Sequence, residues 1–238
     1  MDRALPRDRA RPRAGPGVSD VTVAALSDAS LAARRDLARL GRRYFNLGWL
    51  FGTVGNLSAR VPGSSDRVVI TASGKHKGDL EERDFVEVSL DGTLLAAGHP
   101  GGRASAETSI HLAVYRTHPN ATFGLHVHTI ASTLLVAHRG GQPPTVAFEG
   151  LEMLKAWDLW DESVVAELPL FANHADVADI GREVEAYYRA LPPTTPAVPA
   201  LIVRGHGITA WGTDAFTANR HLEATEFLCQ IERARTTG

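Results

Sequence analysis

The hydrophobic pattern of this chain predicts helices and strands in alternation. The first predicted helix has an apolar stripe with the 3.6-residue period, formed by Ala33, Leu37, Leu40 and Tyr44. Ser27 is its predicted cap, and Gly48 is its predicted end. Further helices are predicted from Ser105 through Val114, over Ile130 to His138, over Val177 to Leu191, and over Asp214 to Arg233. Cys229 lies on the apolar face of the last one, which predicts core packing for its thiol.

Short β-branched or alternating runs predict strands between these helices. They are Val68 to Thr71, Phe85 to Leu90, Phe123 to His128, Glu167 to Phe171, Ala200 to Val203 and Ile208 to Trp211. The turn Asp91-Gly92 predicts a hairpin that joins the second run to Leu94-Leu95. Because no repeat or internal linker interrupts the pattern, we expect one domain of mixed α and β structure over residues 21–238.

The first 20 residues differ from the rest in being rich in Arg, Pro and Gly and poor in large apolar residues. Such a segment cannot bury enough surface to offset the entropy of ordering, so we expect residues 1–20 to be a disordered tail. An arm that binds nucleic acid is the alternative, but Asp2 and Asp8 dilute its positive charge.

Charge and composition narrow the function classes. A formal net charge of −2 over 238 residues gives no general attraction to nucleic acid or anionic membranes. No apolar run approaches the ~20 residues that span a bilayer, and residues 1–17 lack the apolar segment of a secretory signal. One cysteine allows no intrachain disulfide, which suits a reducing compartment. We therefore expect a cytoplasmic protein that binds neither nucleic acid nor a membrane.

Three histidines suggest a metal site. His126 and His128 are two apart in a predicted strand, so their side chains share one face. His206 lies between two glycines after another strand, where the backbone can approach closely. Three imidazoles that leave one position open are typical of a catalytic divalent metal, of which zinc is one choice and iron, cobalt or manganese are others. The alternative is an accidental His-x-His pair.

Two glycine-rich loops would expose backbone N–H groups and hydroxyls to an anion. One lies in the stretch Thr53 to Ala59, where the chain enters a strand, and the other covers Ser73 to Gly78. The alternative is two tight turns without a ligand. The three lysines of the chain, Lys75, Lys77 and Lys155, all lie in stretches singled out here. Neither GxxxxGK[ST] nor GxGxxG occurs, so we expect no nucleotide cofactor.

Two glutamates are candidate acid–base residues. Glu107 lies in the first turn of a predicted helix, where capping alone would explain a negative charge. His111 follows one turn later and either orients Glu107 or is a solvated helix histidine. Glu152 has Glu149 and Lys155 three residues away on either side, a spacing that a solvated helix face would also explain.

Taken together, several stretches resemble the class II aldolase/adducin superfamily. They are Gly55-Asn-Leu-Ser58, Ile70-Thr-Ala-Ser-Gly-Lys75, Ser105-Ala-Glu-Thr108, His126-Val-His128 and Arg204-Gly-His-Gly-Ile-Thr-Ala-Trp-Gly212. Within it, the chain resembles the methylthioribulose-1-phosphate dehydratases of methionine salvage through Ser73-Gly-Lys-His-Lys-Gly78, Phe148-Glu-Gly-Leu-Glu-Met-Leu-Lys155 and Arg220-His-Leu-Glu-Ala224. The resemblance runs from about residue 30 to 235.

This resemblance implies a three-layer α/β/α fold around a mostly antiparallel sheet, usually in a homotetramer. It implies one Zn²⁺ per subunit, held by His126, His128 and His206, and an acid–base glutamate, which is Glu152 in the dehydratases and Glu107 in the aldolases. It also implies a phosphate site, formed by Asn56, Ser73, Gly74, Lys75 and Ser105.

Three function classes of this superfamily compete. A zinc-dependent lyase that dehydrates 5-methylthioribulose 1-phosphate would use Glu152 as base, with Glu107 as a second candidate. A sugar-phosphate aldolase or pentulose-phosphate 4-epimerase would use Glu107. An adducin-type interaction module would lack the metal histidines. The chain departs from the family at Val54, Val127, Arg103 and His76, and none of these positions is a metal ligand.

Overall fold

The computed structural model describes residues 24–135 and 144–237. Its strands are β1 (Asn56–Arg60), β2 (Arg67–Thr71), β3 (Phe85–Ser89), β4 (Leu94–Ala97), β5 (Phe123–Val127), β6 (Thr145–Phe148), β7 (Ala166–Phe171), β8 (Ala200–Val203) and β9 (Gly207–Gly212). Its helices are α1 (Leu31–Asn46), α2 (Thr108–Thr117), α3 (Ile130–Thr133), α4 (Val177–Ala190) and α5 (Ala215–Thr237). Short 3-10 turns cover Asp28–Ser30, Lys77–Asp79 and Glu152–Trp157.

The described strands form one sheet in the order β4-β3-β2-β1-β5-β9-β8-β7-β6. Among them, β7 and β8 are the only parallel neighbours, and α4 provides the crossover that a parallel pair needs. The mostly antiparallel sheet predicted from the resemblance is therefore confirmed. The predicted hairpin is confirmed as well, because β3 pairs with β4 across Asp91-Gly92.

Helices cover both faces of the sheet, which confirms the three-layer arrangement. On one face α1, α3 and α5 pack over residues such as Leu57, Leu125 and Ala210, and this core includes the buried Cys229. On the other face α2 and α4 pack over residues such as Val68 and Trp211. Strand residues alternate between the two cores, as the two-residue period requires.

Several predicted boundaries differ from the structure. The Ser27 hydroxyl donates to the Glu87 carboxylate at 2.6 Å instead of capping a helix, and α1 begins after the Asp28–Ser30 turn. Ser105 lies two residues before Glu107, which is the N-cap residue of α2. The helix predicted over 130–138 ends at Thr133, and residues 136–138 lie outside the described part, as do residues 1–20. No described helix combines the length and the apolar character needed to cross a membrane.

One end of the sheet collects the residues singled out by the sequence. The carboxyl ends of β5 and β8 meet the amino ends of β1 and β9 there, because each neighbouring pair among β1, β5, β9 and β8 is antiparallel. Close approach at this end depends on glycine. A Cβ on Gly207 would lie 2.2 Å from the Val127 carbonyl oxygen, and one on Gly55 would lie 2.7 Å from that of His126.

Candidate active site

His126 and His128 lie together at the end of β5, as the two-residue period predicts. His126 is fully buried in the strand, and His128 follows its last residue. Their Nε2 atoms are 2.9 Å apart. Leu125 and Val127 point to the opposite face and belong to the core beneath α1 and α5.

His206 reaches the same point from a different part of the chain. The β8–β9 turn carries it, and its Nε2 lies 3.4 Å from that of His126. Glu107 is the fourth member, with Oε1 2.8 Å from the Nε2 of His206 and 4.0 Å from that of His128. One ligand atom from each of these four residues falls within 4.8 Å of all the others.

The donor atoms fit a divalent cation. Ligands about 2.0–2.1 Å from a tetrahedral zinc lie about 3.3 Å from one another, close to the 2.9 and 3.4 Å that separate the Nε2 of His126 from those of His128 and His206. In the metal-binding form all three Nε2 atoms are unprotonated, and nitrogens at these distances then repel one another. A shared proton relieves only one pair, whereas a cation between them attracts all three.

The environment leaves the imidazole lone pairs free. Burial holds the pKa of His126 well below its ordinary value, and burial together with the nearby His206 lowers the pKa of His128 to about 4. The Nδ1 of His126 lies 2.9 Å from the Thr209 hydroxyl, a partner that can hold the proton on Nδ1 and leave Nε2 bare. Both rings are therefore neutral at pH 7.

Glu107 is charged in this setting. Burial opposes its ionisation, but the hydrogen bond from His206 outweighs burial and holds the pKa of Glu107 well below its ordinary value. Asn56 donates from Nδ2 to the Glu107 carboxylate. Glu107 thus does more than begin α2: it faces the histidines and could either bind a cation or accept a proton.

A cavity of about 300 Å³ opens beside this cluster. Its lining includes most of the residues expected around a phosphate, namely Asn56, Ser73, Gly74 and Ser105, together with Glu107 and His128. Asn56 donates to the Ser105 hydroxyl at 3.1 Å, which joins the β1 loop to the start of α2. The two loops predicted to surround an anion therefore border one cavity.

Lys75 requires a correction. It was expected in the phosphate site, but its ammonium pairs with Asp84 at 2.9 Å, and Lys75 does not line the cavity. Lys77 lines it instead. Its Nζ donates to the carbonyl oxygens of Thr53 and Lys75, at 2.9 and 2.8 Å. The family resemblance pointed to Lys75, whereas in the structure the buried lysine of this loop is Lys77, at the start of the 3-10 turn Lys77–Asp79.

Lys77 is a buried cation. Its side chain is almost fully covered. Burial lowers its pKa to about 8, against the opposing effect of the Glu107 charge. An ammonium has three N–H donors, and two are used by carbonyl oxygens, so one is left for an anion in the cavity.

Glu152 lies away from the cluster within the same chain. It follows β6, whose last residue Phe148 pairs with Ala166, the first residue of β7. The histidines are level with the other end of β7, because Phe171 is beside Val203. Glu152 is therefore at the opposite end of the sheet, where its side chain is 84% exposed and pairs with Lys155. One chain therefore does not bring Glu152 to its own histidines.

Sequence comparison identifies the relatives of this chain. The family model described as Class II Aldolase and Adducin N-terminal domain matches residues 35–233. A methylthioribulose-1-phosphate dehydratase of Leptospira biflexa serovar Patoc is 42% identical over 204 residues, which cover 84% of this chain and 96% of that protein. One from Microcystis aeruginosa is 40% identical, over 82% of this chain and 92% of that protein.

Solved structures share the fold at lower identity. An aldolase II superfamily protein from Pseudomonas syringae superposes with a TM-score of 0.69 at 21% identity, covering 89% of this chain and 79% of that one. An L-fuculose-1-phosphate aldolase from Thermus thermophilus superposes with a TM-score of 0.59 at 23% identity, covering 87% of this chain and 99% of that one. The chain therefore belongs to the class II aldolase and adducin N-terminal domain family, in which it is similar to methylthioribulose-1-phosphate dehydratases.

Proposed function

We propose that this chain is a metal-dependent lyase that dehydrates 5-methylthioribulose 1-phosphate to 2,3-diketo-5-methylthiopentyl 1-phosphate, a step of methionine salvage. The observation that carries the proposal is a cluster of three histidines and a glutamate beside a cavity that contains a buried lysine, in a chain about 40% identical to dehydratases of that name. Zinc is the cation that we propose, because a three-imidazole set with an open position suits it.

The residues divide the work between binding and proton transfer. His126, His128 and His206 would hold the cation, which would supply Lewis acidity to polarise the C2 carbonyl of the substrate. The Ser73–Gly74 loop, Asn56, Ser105 and Lys77 would hold the phosphate and so orient the reacting carbons. A carboxylate then removes the C3 proton, the C4 hydroxyl leaves as water with a proton from an acid, and the resulting enol tautomerises to the diketone.

Glu152 remains our proposed base, and the sheet topology requires a second copy to supply it. Exposed apolar side chains support a head-to-tail contact between copies, with Trp160 and Phe216 at the Glu152 end and Phe51 and Ile130 at the histidine end. A contact between two different faces gives a ring when the rotation between copies closes, and we propose the homotetramer usual in this superfamily. Glu107 would assist from within the subunit.

An aldolase or 4-epimerase is the second candidate, and the position of Glu107 favours it. The Glu107 carboxylate accepts a hydrogen bond from His206 at 2.8 Å, where it could act as base without any help from a neighbouring copy. The two functions differ in the bond broken. An aldolase cleaves C3–C4 to dihydroxyacetone phosphate and an aldehyde, whereas a dehydratase keeps the carbon chain whole.

Purified protein incubated with methylthioribulose 1-phosphate is expected to form the diketone, to stop when a chelator removes the metal, and to resume when Zn²⁺ is added back. The reason is that substrate activation depends on the cation held by the histidines. Mass spectrometry and diketone absorbance would follow the product. Formation of dihydroxyacetone phosphate, or turnover unaffected by chelation, would reject the proposal.

The phosphate site gives a pH prediction. Lys77 binds an anion only while protonated, and burial lowers its pKa to about 8. Inhibition by inorganic phosphate should therefore weaken as the pH rises through about 8, by up to tenfold per pH unit. The weakening should stop once the pH exceeds the higher pKa that Lys77 has in the phosphate complex. Measured inhibition constants between pH 7 and 9.5 would show this dependence.

The matched variants are Lys77→Met and Lys75→Met. The Lys77→Met substitution should raise the inhibition constant of phosphate about 10–150-fold at pH 7 and abolish its pH dependence, since one charged hydrogen bond contributes about 1.5–3 kcal/mol. The Lys75→Met protein should keep the wild-type inhibition constant and its pH dependence, because the Lys75 ammonium pairs with Asp84 outside the cavity. Equal effects of the two substitutions would contradict a direct role for Lys77.

A further inference from the structure

Behind the histidine cluster, α2 presents three polar side chains to the sheet. Glu107, His111 and Tyr115 are four residues apart, so they follow one another along one face of the helix. His111 and Tyr115 are both about 1% exposed, in a layer that is otherwise apolar. Buried polar groups persist in such a layer when each has a partner.

Each of these side chains meets a polar partner from β1. Asn56 and Ser58 are two apart and point from the strand towards α2. Asn56 bonds through Oδ1 to the Nε2 of His111 and through Nδ2 to Glu107. The Ser58 hydroxyl lies 2.7 Å from the Nδ1 of His111 and 2.8 Å from the Tyr115 hydroxyl. An unbroken chain of hydrogen bonds thus runs from Tyr115 to Glu107.

The direction of this chain follows from its charged end. A carboxylate only accepts, so the Asn56 amide must turn its N–H side towards Glu107 and its oxygen towards His111. That oxygen also only accepts, so the Nε2 of His111 must carry a proton. Burial lowers the pKa of His111 to about 4, so the neutral ring has no second proton and its Nδ1 accepts from Ser58. Tyr115 then donates to Ser58.

Gly124 shows that the sheet is shaped for this chain. It pairs with Ser58 on β1 and faces the same layer. A Cβ at this position would lie 2.9 Å from the Nδ1 of His111 and 3.0 Å from the Ser58 hydroxyl. The lack of a side chain at position 124 therefore leaves room for the imidazole between α2 and the sheet.

We propose that His111, held as the Nε2–H tautomer by Ser58, is a positioning residue that fixes the Asn56 amide with its N–H side towards Glu107. Without the donor on His111, the amide loses the bond that holds its oxygen away from the site. An amide turned the other way would place an oxygen against the Glu107 carboxylate and remove a donor from the edge of the phosphate cavity. The solvated-histidine alternative for His111 is wrong, because the ring is buried.

The tautomer can be tested without turnover. Ring-¹⁵N histidine labelling distinguishes a protonated Nε2 from a protonated Nδ1, and the signals lost in His111→Gln assign the residue. The expected result in the full-length protein is a neutral ring with its proton on Nε2. A proton on Nδ1 would overturn the proposal, whatever reaction the protein catalyses.

The kinetic arm rests on the proposed function and compares two substitutions. His111→Met removes the donor and should lower kcat/KM about 10–100-fold, as loss of supporting hydrogen bonds around metal sites does, with metal content unchanged. His111→Gln keeps an N–H where Nε2 was and should recover activity to within about threefold of wild type, since an N–H donor again meets Asn56. Equal activity of the two variants would show that His111 only fills space.

Further variants separate this role from folding. Gly124→Ala should reproduce the His111→Met loss with metal retained, because the added methyl displaces the ring rather than a ligand. His118→Met is the matched control, since His118 ends the same helix and packs on Tyr188 and Trp211 outside the chain of hydrogen bonds. If His118→Met lost as much activity as His111→Met, the effect would be one of packing. If wild-type protein gave no diketone, the proposed function would fail while the tautomer result stood.

Discussion

Replacement of His206 by alanine is expected to abolish metal retention and to lower kcat/KM for dehydration about 10³-fold or more. His206 brings its Nε2 within 3.4 Å of His126 from the far side of the cluster, so its loss leaves two imidazoles from one strand. Lewis-acid stabilisation contributes several kcal/mol, and each 1.36 kcal/mol is a factor of ten in rate. Metal analysis of the purified protein and steady-state assays would measure both effects.

A second histidine provides the comparison. His174 pairs with Glu183 at 2.8 Å and is not a member of the four-residue cluster, so His174→Ala should keep wild-type metal content and turnover. The assignment would be wrong if His206→Ala retained one metal per subunit with near-normal activity. Loss of activity with metal fully retained would instead limit His206 to contacts with the substrate.

Mixing two inactive variants is expected to restore activity. Glu152→Gln should lower kcat about 10²–10⁴-fold with normal metal content, as removal of a general base does. His206→Ala keeps its own Glu152 but lacks the metal. In a head-to-tail ring with random mixing at equal amounts, half of the subunits have intact histidines and half of their neighbours have an intact Glu152, so about a quarter of the sites should work. Co-expression with two tags, followed by assay of the mixed oligomer, would measure this.

The same experiment distinguishes the alternatives. If Glu152 served its own subunit, no site in the mixture would have both groups, and activity would stay at the level of the single variants. A mixture of His206→Ala with His126→Ala should never recover, because both substitutions damage the same half of the site. Full activity of Glu152→Gln alone would assign the proton transfer elsewhere, with Glu107 the next candidate.

The sequence predicted the residues whose placement depends on local geometry. His126 and His128 share a face because strands have a period of two, and the glycine beside His206 permits the close approach that unites the three rings. The sheet and its two helical layers followed from the family resemblance. The aliphatic patterns of β2, β3 and β8 were sufficient to locate those strands.

What the sequence did not predict depends on strand order and on the paths of loops. Nothing in the Glu149–Lys155 stretch indicates that it follows an edge strand whose far end lies away from the histidines. Lys75 and Lys77 are both polar loop residues in the sequence, and only the fold shows which one is buried. The link from His111 to Glu107 needs Asn56 and Ser58 from a strand some 50 residues earlier.

The separation of 80 residues between His126 and His206 has a consequence for unfolding. A cation bound by both would act as a cross-link that closes a long loop and joins β5 to the β8–β9 turn, so it would bind the folded chain far better than the unfolded one. Heat denaturation should therefore occur at a higher temperature with metal than after chelation. The midpoint temperature of unfolding would then report metal occupancy in variants whose turnover is too slow to measure.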